Sequence, residues 1–299
     1  SIRFIKGKMI VTELYEASPA FKSGIIPGDQ IMKIDKIEIN NKTLQEVGDL
    51  LKGPAKSSVL LEINRRGAIL YKNVNREDIQ IPAVSFFKKL NHNIGYIKLN
   101  SFTATAAAEF KNALLKLKEK NADKYIIDLR SNGGGLLNEA VKIVNFFVPK
   151  GKLVVSTKSR NDQMNRKYFC REQPVDTSAK IVVLIDEMSA SASEIVAGGL
   201  QDLDRAVIIG NTSYGKGLVQ QTKQVSFGGQ IKLTVAKYYT PSGRCIQKID
   251  YSNDGKGGSK KIEDSLVSKY QTKNGREVMD SRGIEPDVKV EEVYFNAIT

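Results

Sequence analysis

The sequence is poor in the residues that most often carry metal binding and acid–base chemistry. Its 299 residues include one histidine, His92, two cysteines, Cys170 and Cys245, and no tryptophan. A site built from several histidines is therefore excluded, and any nucleophile assisted by histidine must use His92. Two cysteines fit neither a disulfide framework nor a zinc site. The sequence predicts no metal and leaves open whether the cysteines pair in an oxidising compartment.

Long hydrophobic runs are missing as well. No apolar stretch approaches the roughly 20 residues that a membrane-spanning helix needs, and no signal peptide is visible. The chain begins at Ser1 directly in a strand-like run, which we interpret as a trimmed or processed start.

Acidic residues are outnumbered by basic ones, 33 to 46, which gives a net charge of +13. A basic balance attracts nucleic acid and anionic membranes. The positive residues are scattered, however, and no zinc-finger spacing or RNP-like motif occurs. We therefore interpret the charge as a solvated basic surface and predict no nucleic-acid partner.

Residues 1–80 are typical of a small β-rich module. Strand-like runs at 9–17 and 30–39 flank a short helical turn. Thr43 and Glu46 have capping-box spacing and predict a helix that follows at once. Residues 58–74 are predicted to form a hairpin.

This order of elements, and the segment SPAFKSGIIPGDQIMKIDKIEI, resemble a PDZ domain. A PDZ domain binds the C-terminus of a peptide by adding it as a strand beside a sheet edge. In such a domain, the loop that holds the terminal carboxylate precedes the second strand, which here would be Ser1–Ile5. That loop is therefore missing or lies upstream. A generic β-rich adaptor fold is the alternative. The apolar candidates for the peptide pocket are Ile2, Phe4, Val47 and Leu51.

From residue 94 onward, predicted strands and helices alternate. This alternation predicts an α/β core with a largely parallel sheet. The stretch 250–282 is polar and rich in Lys, Ser and Gly, so we predict an inserted loop there. It separates residues 238–248 from 282–288, two segments that we expect to pair in space.

The segment DEMSASASEIVAGGLQD, residues 186–202, is the first candidate for chemistry. A strand ends, small residues follow and a helix begins. A serine in this turn would lie at a helix N-terminus, where free N–H groups and the helix dipole favour developing negative charge. Ser189, Ser191 and Ser193 all fit this description, and each could equally well only cap the helix.

The segment NTSYGKGLVQQ is the second candidate, because Lys216 stands between Gly215 and Gly217. Glycines allow a close approach to neighbouring groups. A lysine that faces a packed interior loses hydration, which lowers the pKa of a lysine toward the range of a general base. The alternative is a surface lysine in a glycine turn. A phosphate-binding loop is excluded, since the GxxxxGK[ST] spacing is absent.

Three consecutive glycines in IIDLRSNGGGLLNEA, residues 133–135, form the third candidate. They follow a predicted buried strand and would leave backbone N–H groups free for an oxyanion hole. A tight strand-to-helix turn without function is the alternative. Contiguous glycines do not fit the spaced dinucleotide-binding fingerprint.

Together the three candidates indicate Ser/Lys chemistry, a known variant of the serine nucleophile. The motifs SASASEIVAGGLQD, NTSYGKGLVQQ, IKLTVAKYYTPSGRCIQ and LRSNGGG, taken together, resemble the carboxy-terminal processing (tail-specific) proteases. The resemblance covers essentially the whole chain. It implies a mixed α/β protein with a PDZ domain at 1–80, followed at 81–299 by a core related to the Clp protease and crotonase folds. The core would carry the polar insertion and a C-terminal β-rich segment.

The resemblance also implies catalytic roles for matching residues. Ser191, the middle serine of SASAS, would be the nucleophile. Lys216 would be the general base, and Gln220 would orient that lysine.

Supporting roles are carried over in the same way. The oxyanion donors would be the backbone N–H groups of Ala192 and of one glycine within 133–135, with Gly134 or Gly135 preferred. Glu194 and Asp202 match acidic positions of some family members, and a structural role for both is at least as well supported.

These roles imply a serine endopeptidase that recognises the C-terminal tails of proteins through its PDZ domain and cleaves through an acyl-enzyme, without metal or organic cofactor. The alternatives are an inactive peptide-binding scaffold and a crotonase-like acyl-CoA enzyme, which would explain neither the PDZ module nor the GKG lysine. The resemblance implies protein partners with apolar tails and a periplasmic or otherwise extracytoplasmic location at the inner membrane. A membrane tether outside these residues and a homo-oligomer are left open.

Overall fold

The structure, a computed structural model, describes residues 1–15, 18–78, 81–251 and 259–291. The chain divides into two compact units, residues 1–81 and 82–299. Among the described residues, no helix has the length and apolar character that crossing a bilayer requires. Cys170 is a buried free thiol and Cys245 a partly buried one.

The first unit is an antiparallel sheet with two helices. Its strands, in the order β1-β2-β3-β5-β6 with β4 paired to β3, are β1 Ile2–Ile5, β2 Lys8–Val11, β3 Gln30–Ile34, β4 Ile37–Glu38, β5 Ser58–Arg65 and β6 Ala68–Asn75. Its helices are α1 Pro19–Lys22 and α2 Leu44–Leu51. β1 is an edge strand that pairs, among the described residues, only with β2.

Helix α2 begins where the capping box predicts. The Thr43 hydroxyl accepts a hydrogen bond from the Glu46 N–H, and the Glu46 carboxylate accepts one from the Thr43 N–H at 2.7 Å. Val47 on the inner face is completely buried among the isoleucines and valines of the sheet. The helix therefore closes the core of this unit.

The second unit contains the remaining elements. Its helices are α3 Ala106–Glu119, α4 Leu137–Asn145 and α5 Ala192–Asp202. Its strands are β7 Val84–Lys89, β8 Ile94–Leu99, β9 Lys124–Asp128, β10 Leu153–Lys158, β11 Arg166–Phe169, β12 Lys180–Ile185, β13 Val207–Gly210, β14 Leu218–Gln224, β15 Gln230–Tyr239, β16 Ile249–Asp250, β17 Lys260–Lys261, β18 Lys269–Gln271, β19 Glu277–Met279 and β20 Val288–Lys289.

The main sheet has the order β20-β13-β12-β9-β8-β7 and is parallel except for the edge strand β7. Its strands carry buried apolar side chains, as parallel strands covered by helices must. Helix α3 buries Phe110, Leu114 and Leu117, which recur at helical spacing on one face. Helix α5 is buried along its whole length. The loops after β9 and β12 meet at the carboxyl edge of this sheet, where ligands of α/β proteins bind.

A second, antiparallel sheet has the order β11-β10-β15-β14. Its strands β14 and β15 form a long hairpin whose residues beyond Val219 are largely exposed. In the described part of the chain, β14 has no partner on its outer edge.

The polar stretch 250–282 is more ordered than the loop that its composition predicts. Two short antiparallel pairs, β16–β17 and β18–β19, lie within or beside it, and residues 252–258 of the stretch lie outside the described ranges. The two segments that it separates do meet, because the Gly283 N–H donates to the Ile246 carbonyl oxygen.

Candidate active site

Ser191 occupies a strained turn between β12 and α5. It is the N-cap residue of α5 and has φ 57° and ψ −112°, a conformation that residues with a side chain rarely adopt. Such backbone strain costs about 1–3 kcal/mol and persists only where the surroundings enforce it. The turn presents Ser191 at the N-terminus of a fully buried helix.

The three serines of this turn differ in what their hydroxyls do. Those of Ser189 and Ser193 are completely buried and donate to the backbone oxygens of Leu129 and Asn132, each at 2.8 Å. Ser191 is partly exposed, and its hydroxyl donates to no described group. Only Ser191 has a hydroxyl available to a bound molecule.

Glu194, one turn into α5, connects the Ser191 turn to the GKG segment. Its buried carboxylate accepts hydrogen bonds from the backbone N–H of Ser191 at 2.7 Å and from that of Lys216 at 2.9 Å. It also accepts from the Gly215 N–H at 2.7 Å and from the Ser213 hydroxyl at 2.6 Å. Four donors on one carboxylate fix the backbone positions of both candidate catalytic residues.

Burial raises the pKa of Glu194 above its ordinary value, because desolvation penalises the carboxylate. The hydrogen bonds from Ser213, from Lys216 and from the other two N–H groups act in the opposite direction. Glu194 is completely buried and is not among the residues that line the cavity described below, so we regard it as a positioning residue.

A cavity of about 490 Å³ brings the sequence-predicted residues together. Ser191, Lys216 and Gln220 all line it, along with Ala192 and the glycine loop. Lys216 forms no ion pair with any acidic residue in the part of the chain that the structure describes. Both Gln220 and Lys216 are described, and no hydrogen bond joins them in this structure. The apolar wall is formed by Leu136, Leu137, Ile195, Leu218 and Val219.

The glycine loop touches the Ser191 turn. A Cβ added to Gly134 would lie 2.6 Å from the Ala190 carbonyl oxygen and 2.9 Å from the Cβ of Ser191. Any side chain at this position would displace the serine, and φ at Gly134 is 98°. Glycine is therefore required here for close approach as well as for backbone conformation.

The two glycines proposed as oxyanion donors are not equivalent. The Gly134 N–H already donates to Asn132 Oδ1 at 2.9 Å, which corrects the expectation that either glycine could serve. The N–H groups of Gly135 and Ala192 have no acceptor among the described residues. Both residues line the cavity, so their N–H groups can serve as oxyanion donors.

Asn132 was missed by sequence reasoning, although it stands inside the LRSNGGG motif. It is completely buried. Its side chain binds the N–H of Gly134 and donates to the Leu99 carbonyl oxygen at 2.7 Å. Its backbone oxygen accepts from the Ala190 N–H and the Ser193 hydroxyl. Asn132 thus connects the glycine loop to the serine turn. Its position directly before the glycines of the motif could have suggested this role.

A second missed group lies at the end of β9. Asp128 is buried and accepts from the Tyr96 hydroxyl at 2.6 Å and from Arg130 at 2.6 Å. Burial alone would raise the pKa of Asp128, but the hydrogen bonds from Arg130 and Tyr96 outweigh it and hold this pKa below its ordinary value. This ion pair fixes the start of the loop that leads to the glycines.

Tyr238 was also missed. It is completely buried and lines the cavity, and its hydroxyl donates to the Ser191 carbonyl oxygen at 3.2 Å. Burial, followed by the nearby Glu194 carboxylate, raises the pKa of Tyr238 well above its ordinary value. The side chain therefore stays a hydrogen-bond donor that helps to fix the Ser191 backbone.

Two residues considered from the sequence lie elsewhere. Asp202 is at the far end of α5, about 16 Å along the helix from Ser191, where it pairs with the buried Arg244 at 2.8 Å. The arrangement gives Asp202 a structural role. His92 lies before β8, at the opposite edge of the sheet, with φ 58°. The only histidine is therefore not in the cavity.

The proposed peptide-pocket residues of the first unit have different environments. Ile2 and Leu51 are partly buried against the core, and Phe4 is 41% exposed. Val47 is completely buried, so its side chain presents no surface to a peptide in this structure. The expectation for Val47 is corrected to a core role, because α2 packs this side chain inward.

Comparison with known families identifies the chain. Residues 93–256, more than half of the sequence, match the model of peptidase family S41. The chain belongs to peptidase family S41. Residues 10–65 match the model of the PDZ domain. The family resemblance and the mixed α/β fold with an N-terminal PDZ domain are thus confirmed.

Two curated relatives and one solved structure resemble this S41 chain. It is 39% identical over 260 residues to the carboxy-terminal-processing protease of Bartonella bacilliformis, covering 85% of this chain and 58% of that protein. It is 35% identical over 243 residues to the carboxy-terminal processing protease CtpA of Bacillus subtilis, covering 81% and 52%. The photosystem II D1 C-terminal processing protease superposes with a TM-score of 0.55 at 26% identity, covering 97% of this chain and 71% of that one.

The S41 chain spans about half the length of the curated relatives it matches. No group of three or more His, Cys, Asp or Glu side chains in the described residues is arranged to hold a metal ion.

Proposed function

We propose that this chain is the peptide-binding and catalytic part of a serine endopeptidase in which Ser191 is the nucleophile and Lys216 the general base. One observation carries the proposal. Of the three serines in the turn, only Ser191 has a hydroxyl that donates to no described group, and it shares the cavity with a lysine that has no counter-ion among the described residues.

The first half of the reaction is acylation. The neutral amine of Lys216 takes the proton of the Ser191 hydroxyl while Oγ attacks the scissile carbonyl carbon. The oxyanion accepts hydrogen bonds from the N–H groups of Ala192 and Gly135, and it lies near the positive end of the α5 dipole. When the C–N bond breaks, the leaving amine takes the proton from the Lys216 ammonium.

The second half is deacylation. A water molecule gives its proton to Lys216 and attacks the ester, and the second oxyanion uses the same two N–H groups. Collapse releases the new carboxyl end of the substrate and returns the proton to Ser191. Glu194 holds the backbones of Ser191 and Lys216 in position. In this proposal Gln220, which lines the same cavity, orients Lys216 once a substrate is bound.

Mass spectrometry of an unfolded protein with an apolar C-terminal tail, after incubation with the protein, tests this proposal. Wild type should generate fragments, and Ser191→Ala should generate none while remaining folded. Ser193→Ala is the matched control, since it removes a buried hydroxyl from the same turn, and it should retain cleavage. Full proteolysis by Ser191→Ala would refute the assignment. No cleavage by wild type would favour the peptide-binding scaffold.

We further propose that the PDZ domain reads the substrate's tail by strand addition at the open edge of β1. Strand addition provides affinity through the backbone, and apolar side chains such as Ile2 and Leu51 set preference. Adding two aspartates to the substrate's C-terminus should then raise KM with little change in kcat. Steady-state kinetics on tailed, acidic-tailed and untailed peptides measures this. Equal KM values for all three would argue against tail reading.

The proposed partners are proteins with accessible apolar tails, and the proposed location is extracytoplasmic. Both rest on the family resemblance. Cell fractionation with an antibody to this chain tests the second, and recovery wholly in the cytoplasm would exclude it.

A further inference from the structure

The cavity contains a second lysine that the proposed reaction does not use. Lys232 of β15 lines it together with Ser191 and Lys216. The side chain of Lys232 forms no ion pair or hydrogen bond with any described residue. Its ammonium group is therefore available to a ligand.

The charged residues that line the cavity, among those described, are all basic. None of the described residues that line it is acidic, whereas Lys232 adds a positive charge even when Lys216 is the neutral base. The rest of the wall is glycine and apolar side chains, apart from a few neutral polar groups. A cleft with a single sign of charge and low-dielectric walls raises the local concentration of oppositely charged groups. On a peptide, these groups are carboxylates.

The hairpin register fixes where Lys232 lies relative to the chemistry. Thr234 pairs with Gln220 and Lys232 with Thr222, so the side chains of Lys232 and Gln220 share one face of the hairpin. Thr222 is six residues beyond Lys216, which corresponds to about 20 Å along an extended strand. Lys232 thus lies along the cavity, several residues of extended peptide away from the scissile bond.

We propose that Lys232 binds a substrate carboxylate a few residues from the scissile bond, so that the site selects peptides with an acidic group there. This inference rests on the proposed function, since it assumes that the peptide occupies this cavity. The carboxylate has two sources, an acidic side chain or the C-terminus of a short tail. Lys232 sets specificity and takes no part in bond breaking.

The first experiment moves one glutamate along an otherwise neutral peptide and compares each peptide with its glutamine counterpart. Wild type should cleave the glutamate peptide with about three- to fivefold higher kcat/KM at one position, the size expected of one partly exposed ion pair. Lys232→Gln should abolish this preference. The preference should also weaken at high salt, because exposed charges are screened.

Lys223→Gln is the matched control. Lys223 pairs with Ile231, so its side chain lies on the opposite face of the same hairpin, and it does not line the cavity. The substitution removes the same charge from the protein but should leave the preference intact. An equal loss in both variants would show that only overall charge matters and would overturn the proposal.

A second arm separates the two carboxylate sources. Short peptides ending in a free acid are compared with the same peptides ending in an amide. A free-acid preference that Lys232→Gln removes assigns the carboxylate to the C-terminus, and a glutamate preference alone assigns it to a side chain. If neither preference occurs in wild type, or if both survive in Lys232→Gln, Lys232 does not select carboxylates.

A binding measurement on variants that lack the nucleophile tests the Lys232 site independently of the proposed reaction. Fluorescence anisotropy compares the same labelled peptides on Ser191→Ala and on the Ser191→Ala/Lys232→Gln double variant, so that any contribution of the PDZ domain is common to both. Weaker binding of only the acidic peptides to the double variant supports the Lys232 site even without turnover. Cleavage by wild type combined with identical binding to both variants would reject the site and leave the proposed function standing.

Discussion

At Gly134, the protein lacks room for even one methyl group. The added Cβ would meet the Ala190 oxygen and the Ser191 side chain, both within 3 Å. We expect Gly134→Ala to lower kcat/KM by about 100-fold, since a misplacement of about 1 Å at a catalytic group costs that much. Steady-state peptide cleavage measures it. A Cβ added to Gly133 meets no atom within 4 Å, so Gly133→Ala should lose far less, and equal losses would contradict the steric argument.

Substitutions at Lys216 can test whether this residue acts as a general base or only supplies a positive charge. Lys216→Arg keeps the charge, but a guanidinium does not deprotonate at physiological pH and cannot take a proton. Both Lys216→Arg and Lys216→Ala should lower kcat by about 10²- to 10⁴-fold, the range of general-base catalysis. His92→Ala should leave peptide cleavage unchanged. An inactive His92→Ala beside an active Lys216→Ala would show that the Ser/Lys mechanism is wrong.

Sequence patterns identified the residues around the cavity but not their hydrogen-bond assignments. The SASAS, GKG and GGG motifs point to Ser191, Lys216 and the glycine loop because each needs a particular local backbone. Which glycine keeps a free N–H depends on where the Asn132 side chain turns. That is decided by loop conformation, which residue spacing does not encode.

At the scale of elements, the turn that leads into β12 allows a test of how the stability of the fold depends on pH. The Asp176 carboxylate accepts from the N–H groups of Ser178 and Ala179, each at 2.9 Å, and from Lys118 of α3 at 3.3 Å. Burial alone would raise the pKa of Asp176, but the hydrogen bonds from Ala179, Ser178 and Lys118 lower it from 3.8 to about 2. A lowered pKa stabilises the folded state above pH 3.8, and this stabilisation is lost as the pH falls toward 2.

Asp176→Asn should therefore reduce the free energy of unfolding at pH 7 by about 1–2 kcal/mol, since the amide retains part of the hydrogen bonding. The difference from wild type should shrink below pH 4 and vanish near pH 2. Urea unfolding at several pH values measures this. A difference that does not change with pH would mean that the carboxylate charge contributes nothing.

The strands and helices were predictable where apolar periodicity is strong, as in α3 and β9. The stretch 250–282 was not, because polar pairs rather than apolar side chains hold its described part. Arg276 binds Asp204 and Asp287, each at 2.6 Å, and the Lys273 N–H donates to the Asp202 carbonyl oxygen. Composition shows the polarity of such a segment but not which charges will meet.

At the scale of the whole molecule, each unit has its own hydrophobic core, and every described residue that lines the cavity belongs to the second unit. Val47→Ala in the first core should lower the stability of that unit by about 1–3 kcal/mol. With rising temperature, cleavage of tailed substrates should then fall before cleavage of short untailed peptides. Val183→Ala in the second core is the matched control and should reduce both together. Parallel loss in Val47→Ala would show that the cavity depends on the first unit's core.

The strained backbone of Ser191 has a consequence for how such a chain evolves. Replacing Ser191 with glycine would remove about 1–3 kcal/mol of backbone strain from the folded state. The greater conformational freedom of glycine in the unfolded chain would cost roughly 0.5–1 kcal/mol of stability. A Ser191→Gly copy should therefore melt roughly 2–4 °C above wild type for each kcal/mol gained, whereas Ser191→Ala keeps the strain and should not. Calorimetry can compare the three. Selection for thermal stability alone would erase this serine, so a lineage that keeps it does so only while the reaction itself is under selection.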